Sequence, residues 1–417
     1  MTEIRQYLEE NLENMTALLR ELVAVPSVQG DAEEGFPFGR EPARALGIML
    51  EKCREAGYSV ENVDNYAGSA DINGLAPELG ILSHLDVVPA GDGWSSPPFE
   101  LTQVGDRLVG RGTIDDKGPA VAALFAAKAV KELGIPLKKG VRLIFGTNEE
   151  NGSADLSYYR SKHSLPPVVF TPDGEYPLIN AEKGMLRVYF SAKYCGIPVN
   201  AGTVINAVPA VCSVDADNYY GSSAHASTPE KGENAITKFL GIQENLHPLL
   251  NRLSELFPHG EFNGKSCGLG FRDNISGDMT CVLSMLNTVN GRLCGGIDIR
   301  FPLDRTKAEV SAVICEKLRY AGFEIDSCEG VEPHCTDKNS TFVQALLKTY
   351  ERVTGEKGRC IAIGGGTYVH EIDGGVAFGA EFPGEENNMH SPDECITVES
   401  LLKNAEIMAE AIVEICG

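Results

Sequence analysis

Apolar residues recur at helical spacing among acids in "MTEIRQYLEENLENMTALLREL", which predicts a helix over about residues 2–21. A second helical pattern runs through "REPARALGIMLEKCREAG". The chain then alternates. A nearly continuous apolar strand, "LGILSHLDVVP", is broken only by Ser83, His84 and Asp86, the last two lying two apart and so on one face. A strand-turn-strand "FELTQVGDRLVGRG", a helix "GPAVAALFAAKAVKELG", a strand "GVRLIFGTNEE" and a short strand in "VVFTPDGEYP" follow, the last ending at Asp173. Such alternation predicts an α/β domain with helices on both faces of a largely parallel sheet.

From about residue 184 the texture changes to strands such as "MLRVYFSAKY" and "RLCGGIDIRFP", with two helices near 233–256 and 306–321. Strand, helix and strand in "GGIDIRFP", "RTKAEVSAVICEKLRYAG" and "FEID" suit a small sheet covered by helices. After about 336 a long helix, "STFVQALLKTYERVTG", and a buried strand, "GGVAFGAEFP", return. The expected architecture is therefore an α/β/α sandwich with a mixed, largely parallel sheet (1–183 and 336–417), into which a smaller α+β domain (184–335) is inserted.

Composition narrows the classes. Of 417 residues 43% are hydrophobic, enough for a sizeable core, and a net charge of −23 argues against nucleic acid or an anionic membrane surface as partner. The first residues lack the basic start and apolar run of a signal peptide, and the longest apolar stretch, "PAVAALFAA" (119–127), is too short to cross a bilayer. A cytoplasmic protein is expected. Twelve cysteines are scattered without a CxxC pair, which suits reduced thiols rather than a cysteine zinc site.

Ligands of open α/β sheets gather beyond the carboxyl ends of the strands. Near such ends lie His84 and Asp86, Asp115 and Asp116, Glu149 and Glu150, Asp173 and His390. Each alone has an ordinary explanation: a satisfied core histidine, a solvated acid pair, a "PDG" turn, a loop histidine. Together they make a poor arrangement without a cation, because clustered carboxylates repel, and a good one with metal. If His84, Asp115 and Asp173 hold one divalent ion and His390, Asp115 and Glu150 another, Asp115 bridges, and each ion keeps an open position for water. Two dications against the three carboxylates of Asp115, Glu150 and Asp173 leave one positive charge, which a bridging hydroxide cancels. Zinc suits two histidines with three carboxylates; manganese or cobalt also fit. Asp86 is placed to accept a hydrogen bond from the free ring nitrogen of His84. Glu149, left over beside Glu150, is the natural general base for a metal-bound water. No GxSxG motif or papain-like cysteine signature suggests a nucleophilic triad.

The motifs "SHLDVVPAGDGW", "GRGTIDDKGP", "GTNEENGS", "TPDGEYP", "SSAHASTPEKGENA", "IDIRFP", "IGGGT" and "MHSPDE" resemble, in order, those of the two-metal peptidases that include aminoacylase, succinyl-diaminopimelate desuccinylase and carnosinase. Within that family they most resemble the bacterial dipeptidase branch often called PepV-like, or Xaa-His dipeptidase-like. The resemblance runs along nearly the whole chain. It implies the same ligands, His84, Asp115, Glu150, Asp173 and His390, with Asp86 orienting and Glu149 as base, and a cis bond between Asp115 and Asp116. It further implies that the inserted domain is a lid, that His225 stabilises the oxyanion, and that Asn206, Arg300, Gly364, Gly366 and Thr367 bind substrate.

The implied activity is hydrolysis of dipeptides or short peptides by a metal-bridging water. Two other readings share the residues. One is the same chemistry on an N-acetyl or N-succinyl amino acid; the other is a metal-binding or regulatory protein of this fold without catalysis, which the presence of every ligand and the base weakens. Eighteen residues separate Asn206 from His225, short for the dipeptidase branch, whose lid is enlarged to imitate a partner subunit. In smaller-lid relatives the equivalent histidine comes from a second chain, so both a monomer and a homodimer fit.

Overall fold

The N-terminal helical pattern folds as two helices, α1 (Glu3–Glu10) and α2 (Leu12–Val23), rather than one. The break falls at Asn11, whose side-chain amide donates to the Tyr7 carbonyl at 3.0 Å and competes with the main chain for that acceptor. In this computed structural model, which describes residues 2–242 and 246–417, the chain continues through α3 (Arg40–Glu55), β1 (Ser59–Val63), β2 (Ala67–Asp71) and β3 (Pro77–His84). There follow α4 (Lys117–Glu132), β4 (Gly140–Gly146), α5 (Ala154–Lys162), β5 (Val168–Thr171) and β6 (Leu178–Glu182). Late in the chain come α6 (Thr341–Thr354), β7 (Val376–Ala377) and α7 (Val398–Cys416).

The chain forms two compact units, one of Met1–Asn180, Thr336–Ile361 and Thr367–Gly417, the other of Ala181–Cys335 and Ala362–Gly366. In the first, the strands run in the order β1-β2-β4-β3-β5-β7-β6. β4, β3, β5 and β7 are mutually parallel, and the pairs toward both ends are antiparallel. β3 from Leu79 to His84, and β4 apart from Arg142, are buried residue after residue, so both faces of the sheet's centre are covered. α4 is buried without a break from Lys117 to Ala127 and packs along α7.

The second unit is built on a seven-stranded antiparallel sheet whose longest strands are Gly184–Lys193, Thr280–Val289 and Arg292–Phe301. Here burial alternates: Leu186, Val188 and Phe190 face the core while Arg187 and Tyr189 are exposed, as expected of a sheet covered on one side. Among the described residues three α-helices join the unit. The stretch near 233–256 holds Ala235–Ile242 and Pro248–Leu256, the second starting with proline at its first helical position after the His247 cap, and its residues 243–245 lie outside the described ones. The third, Lys307–Tyr320, is fixed by a capping box of Thr306 and Glu309. Among the described residues no helix is long and apolar enough to cross a membrane.

Phe145 is fully buried on β4, one residue before the strand's end. Phe145→Ala is expected to destabilise the first unit by about 3–5 kcal/mol, read as a lowered urea midpoint at unchanged slope.

Candidate metal centre

β3 pairs in parallel with β4 on one side and β5 on the other, so their carboxyl ends open onto one edge of the sheet. β3 ends in His84, directly opposite Gly146. β4 leads into the turn carrying Glu149 and Glu150, and β5 into Asp173. Asp115 and Asp116, joined by a cis peptide bond, immediately precede α4. His390 sits on the loop after β7 with a left-handed backbone, φ 58°.

These side chains converge. The Asp115 carboxylate lies between two imidazoles: Oδ1 is 2.8 Å from Nε2 of His84 and Oδ2 is 2.6 Å from Nε2 of His390. His84 Nε2 is also 3.7 Å from Asp173 Oδ2, and His390 Nε2 is 3.2 Å from Glu150 Oε1. Ligand atoms of His84, Asp115 and Glu150 lie within 4.8 Å of one another, and so do those of His84, Glu149 and Asp173. Glu149 thus stands at the cluster itself.

Burial and like charge make this a costly assembly for protein alone. Burial, reinforced by the charges of Asp173 and Glu150, pushes Glu149 well above the usual carboxylate range, and burial beside Asp115 pushes Asp173 up to about 8. Burial likewise opposes charge on Asp115, but hydrogen bonds from His390 and His84 outweigh it and hold that carboxyl well below the ordinary range. Burial would lower His390, yet Asp115 and Glu150 hold it up at about 11. Nε2 of His84 and Oδ1 of Asp115 are buried 2.8 Å apart and have no hydrogen-bond partner beyond each other among the described residues. Two buried ligand atoms with no partner but each other, within a set of oxygen and imidazole ligands, fit a divalent cation.

The surrounding hydrogen bonds orient the set. Nδ1 of His84 bonds to the main-chain carbonyl of Asp86 at 3.0 Å; the Asp86 carboxylate stands 3.5 Å away and instead accepts the amides of Glu149 and Glu150, at 3.1 and 3.2 Å. Asp86 therefore holds the acidic turn as well as the histidine. Asp116 accepts the His84 amide at 2.9 Å. Fully buried Asp155 accepts the amides of Thr147 and Asn148 and the hydroxyl of Tyr368. Gly146 permits that contact, since a Cβ there would lie 1.9 Å from the Tyr368 hydroxyl. Asp155 and Tyr368 carry no sequence signal beyond their nearness to "TNEE" and "GGGT", and the "DD" doublet alone hinted at Asp116.

In the second unit the lid residues also cluster. Ala207 pairs with His225 across a short ladder, and the Asn206 carbonyl accepts the Ala226 amide. Nδ1 of His225 accepts the Ser227 amide at 3.2 Å and lies 2.6 Å from its hydroxyl. An accepting Nδ1 leaves the proton of a neutral ring on Nε2. Gly364 approaches so closely that a Cβ there would lie 2.9 Å from Cβ of Ser227. Arg300, 3% exposed, grips Asp298 through Nε and Nη2 and donates from Nη1 to the Gly364 carbonyl. Gly366 closes this segment of the unit, and Thr367, in the first unit, caps the short helix Tyr368–Glu371.

Residues 80–414 match the family described as Peptidase family M20/M25/M40. The Beta-Ala-Xaa dipeptidase of Lactobacillus delbrueckii subsp. lactis is 32% identical over 457 aligned positions that cover 95% of each chain. Two solved structures share the fold: human carnosine dipeptidase 1, with a TM-score of 0.66 and 17% identity over 99% of both chains, and an M20 family metallo-carboxypeptidase from Sulfolobus solfataricus, with a TM-score of 0.65 and 20% identity over 96% of this chain and 98% of that one. The family match spans most of the sequence and the bacterial relative nearly all of it: this chain belongs to peptidase family M20/M25/M40.

Proposed function

We propose that this protein hydrolyses the peptide bond of dipeptides or short peptides in a metal-dependent reaction, with Glu149 as general base and His225 stabilising the oxyanion. The observation that carries the reading is the Asp115 carboxylate with an imidazole at each oxygen, beside Glu149, Glu150 and Asp173. His84, Asp115 and Asp173 would hold one divalent ion, and His390, Asp115 and Glu150 the other. Zinc is the first candidate for both, with manganese and cobalt next. Such ions, when bound, polarise a carbonyl and lower the pKa of water from 15.7 toward about 7.

The chain's own groups do the rest. Glu149, its proton affinity raised by burial, takes the proton of the attacking water and passes it to the leaving amine. His225, with Nδ1 accepting from Ser227, offers Nε2–H to the developing oxyanion. Asn206, beside His225, and the close-packed main chain from Gly364 through Gly366 to Thr367 position the peptide. Arg300 keeps two N–H donors beyond those bonded to Asp298 and Gly364, and these serve a substrate carboxylate. The dipeptidase name of the bacterial relative supports peptides over other amides. Thiols such as Cys53, Cys281 and Cys315, which stand free, accord with a cytoplasmic site of action. A monomer and a homodimer both suit the short segment from Asn206 to His225, and sedimentation of the loaded protein distinguishes them.

Three outcomes are expected. Elemental analysis of purified protein should find two divalent ions per chain, and a chelator should abolish turnover of dipeptides; turnover of N-acyl amino acids alone in a substrate screen would overturn the peptide assignment. Glu149→Ala should keep both ions while kcat falls by about 100- to 10,000-fold, and brisk turnover by that variant would refute the base. His225→Ala should also keep its metal and lose roughly 100- to 1000-fold in kcat, whereas a near-normal rate would remove His225 from the oxyanion.

A further inference from the structure

Arg111 and Glu394 form an ion pair that the reading above leaves unused. Both are buried, at 1% and 0% exposure, with Nη1 of Arg111 2.5 Å from Oε2 of Glu394. The other Glu394 oxygen accepts the amides of Ile114 and Asp115, at 3.1 and 3.3 Å. Glu394 lies four residues after His390, so one carboxylate grips the main chain of the central ligand from the loop that carries its second histidine.

Arg111 extends the clamp. Its Nη2 donates to the carbonyls of Pro89 and Ala90, just beyond Asp86, and its guanidinium lies 5.1 Å from the centre of the Trp94 ring. The next residue, Ser95, closes the circuit by donating its amide and hydroxyl to Asp393, at 2.8 and 2.7 Å. The loops after β3, before α4 and after β7 are thus tied together at one buried charge pair. A buried pair of this kind is poor value as stability alone, because desolvation offsets most of its attraction, but it fixes geometry. A displacement of Asp115 relative to His390 would separate atoms now 2.6 Å apart.

We propose that Arg111 and Glu394 are positioning residues that set the separation of Asp115 and His390 and thereby the affinity for the ion shared by His390, Asp115 and Glu150. The inference rests on the two-ion reading. Zinc binding is followed by calorimetric titration with a competing chelator on the wild type, Glu394→Gln and Arg111→Lys, with circular dichroism confirming the fold. Glu394→Gln keeps an acceptor for the two amides but not the charge; Arg111→Lys keeps a charge but cannot reach Glu394 and both carbonyls together. The expected result is the ion of His390, Asp115 and Glu150 bound about 10- to 100-fold more weakly in each folded variant, and the other ion, which shares Asp115 but not His390, weakened less. A pair with only a structural role would lower the melting temperature and leave the affinities of the folded protein alone. Two ions bound at wild-type strength by a folded variant overturns the proposal, and so does failure of both variants to fold even with zinc present. A wild type that binds fewer than two ions would instead sink the two-ion reading itself.

Discussion

Mutual repulsion among buried carboxylates is the constraint on which the rest of the first unit depends. Asp86, Asp115, Glu149, Glu150 and Asp173 share one small space with two imidazoles, and burial drives protons onto Glu149, Glu150 and Asp173. Asp115 escapes because a histidine stands at each of its oxygens. Left to side-chain rotamers such a set would spread apart toward water. It stays together because each member is fixed by main chain that cannot relax: a strand end, a helix start or a turn whose amides are already taken by Asp86 and Asp155.

That explains why the site sits on the parallel part of the sheet. Parallel neighbours bring the carboxyl ends of β4, β3 and β5 to one edge, so the end of β3 and two short connections deliver His84, the Glu149–Glu150 turn and Asp173 without a long loop among them. Burial of both sheet faces then makes the strand ends rigid, since Leu79 to His84 on β3 and Leu143 to Gly146 on β4 are buried residue after residue. Gly146 shows how tight the fit is, its missing Cβ leaving room for the Tyr368 hydroxyl against Asp155.

Much of this was legible in the sequence for a physical reason. Buried parallel strands read as unbroken apolar runs, so a histidine or carboxylate just past the end of one is conspicuous, as with His84, Glu149, Glu150 and Asp173; Asp115, expected after a strand, instead ends a turn that leads into α4. Periodicity marked the helices but not the stop at Asn11, where one side-chain amide decides the break. Residues that work through main-chain amides were illegible: Asp155 and Glu394 look like ordinary loop acids until their distant partners are known, and Asp86 was legible only as a companion to His84. A pattern of polarity reports what is buried, not which amide a carboxylate will meet.

The same distinction governs the substrate side. Arg300 read as a free guanidinium fork, yet its planar edge is taken up by Asp298, itself fully buried, and it also holds the Gly364 carbonyl. Removing its charge would strand Asp298 without a counter-ion, so a change at Arg300 mixes loss of fold with loss of binding. His225 differs. It is exposed, and Ser227 fixes its tautomer through Nδ1. Of these two residues proposed to meet the substrate, it is therefore the exposed His225 whose replacement disturbs buried structure less, and the contrast follows from burial.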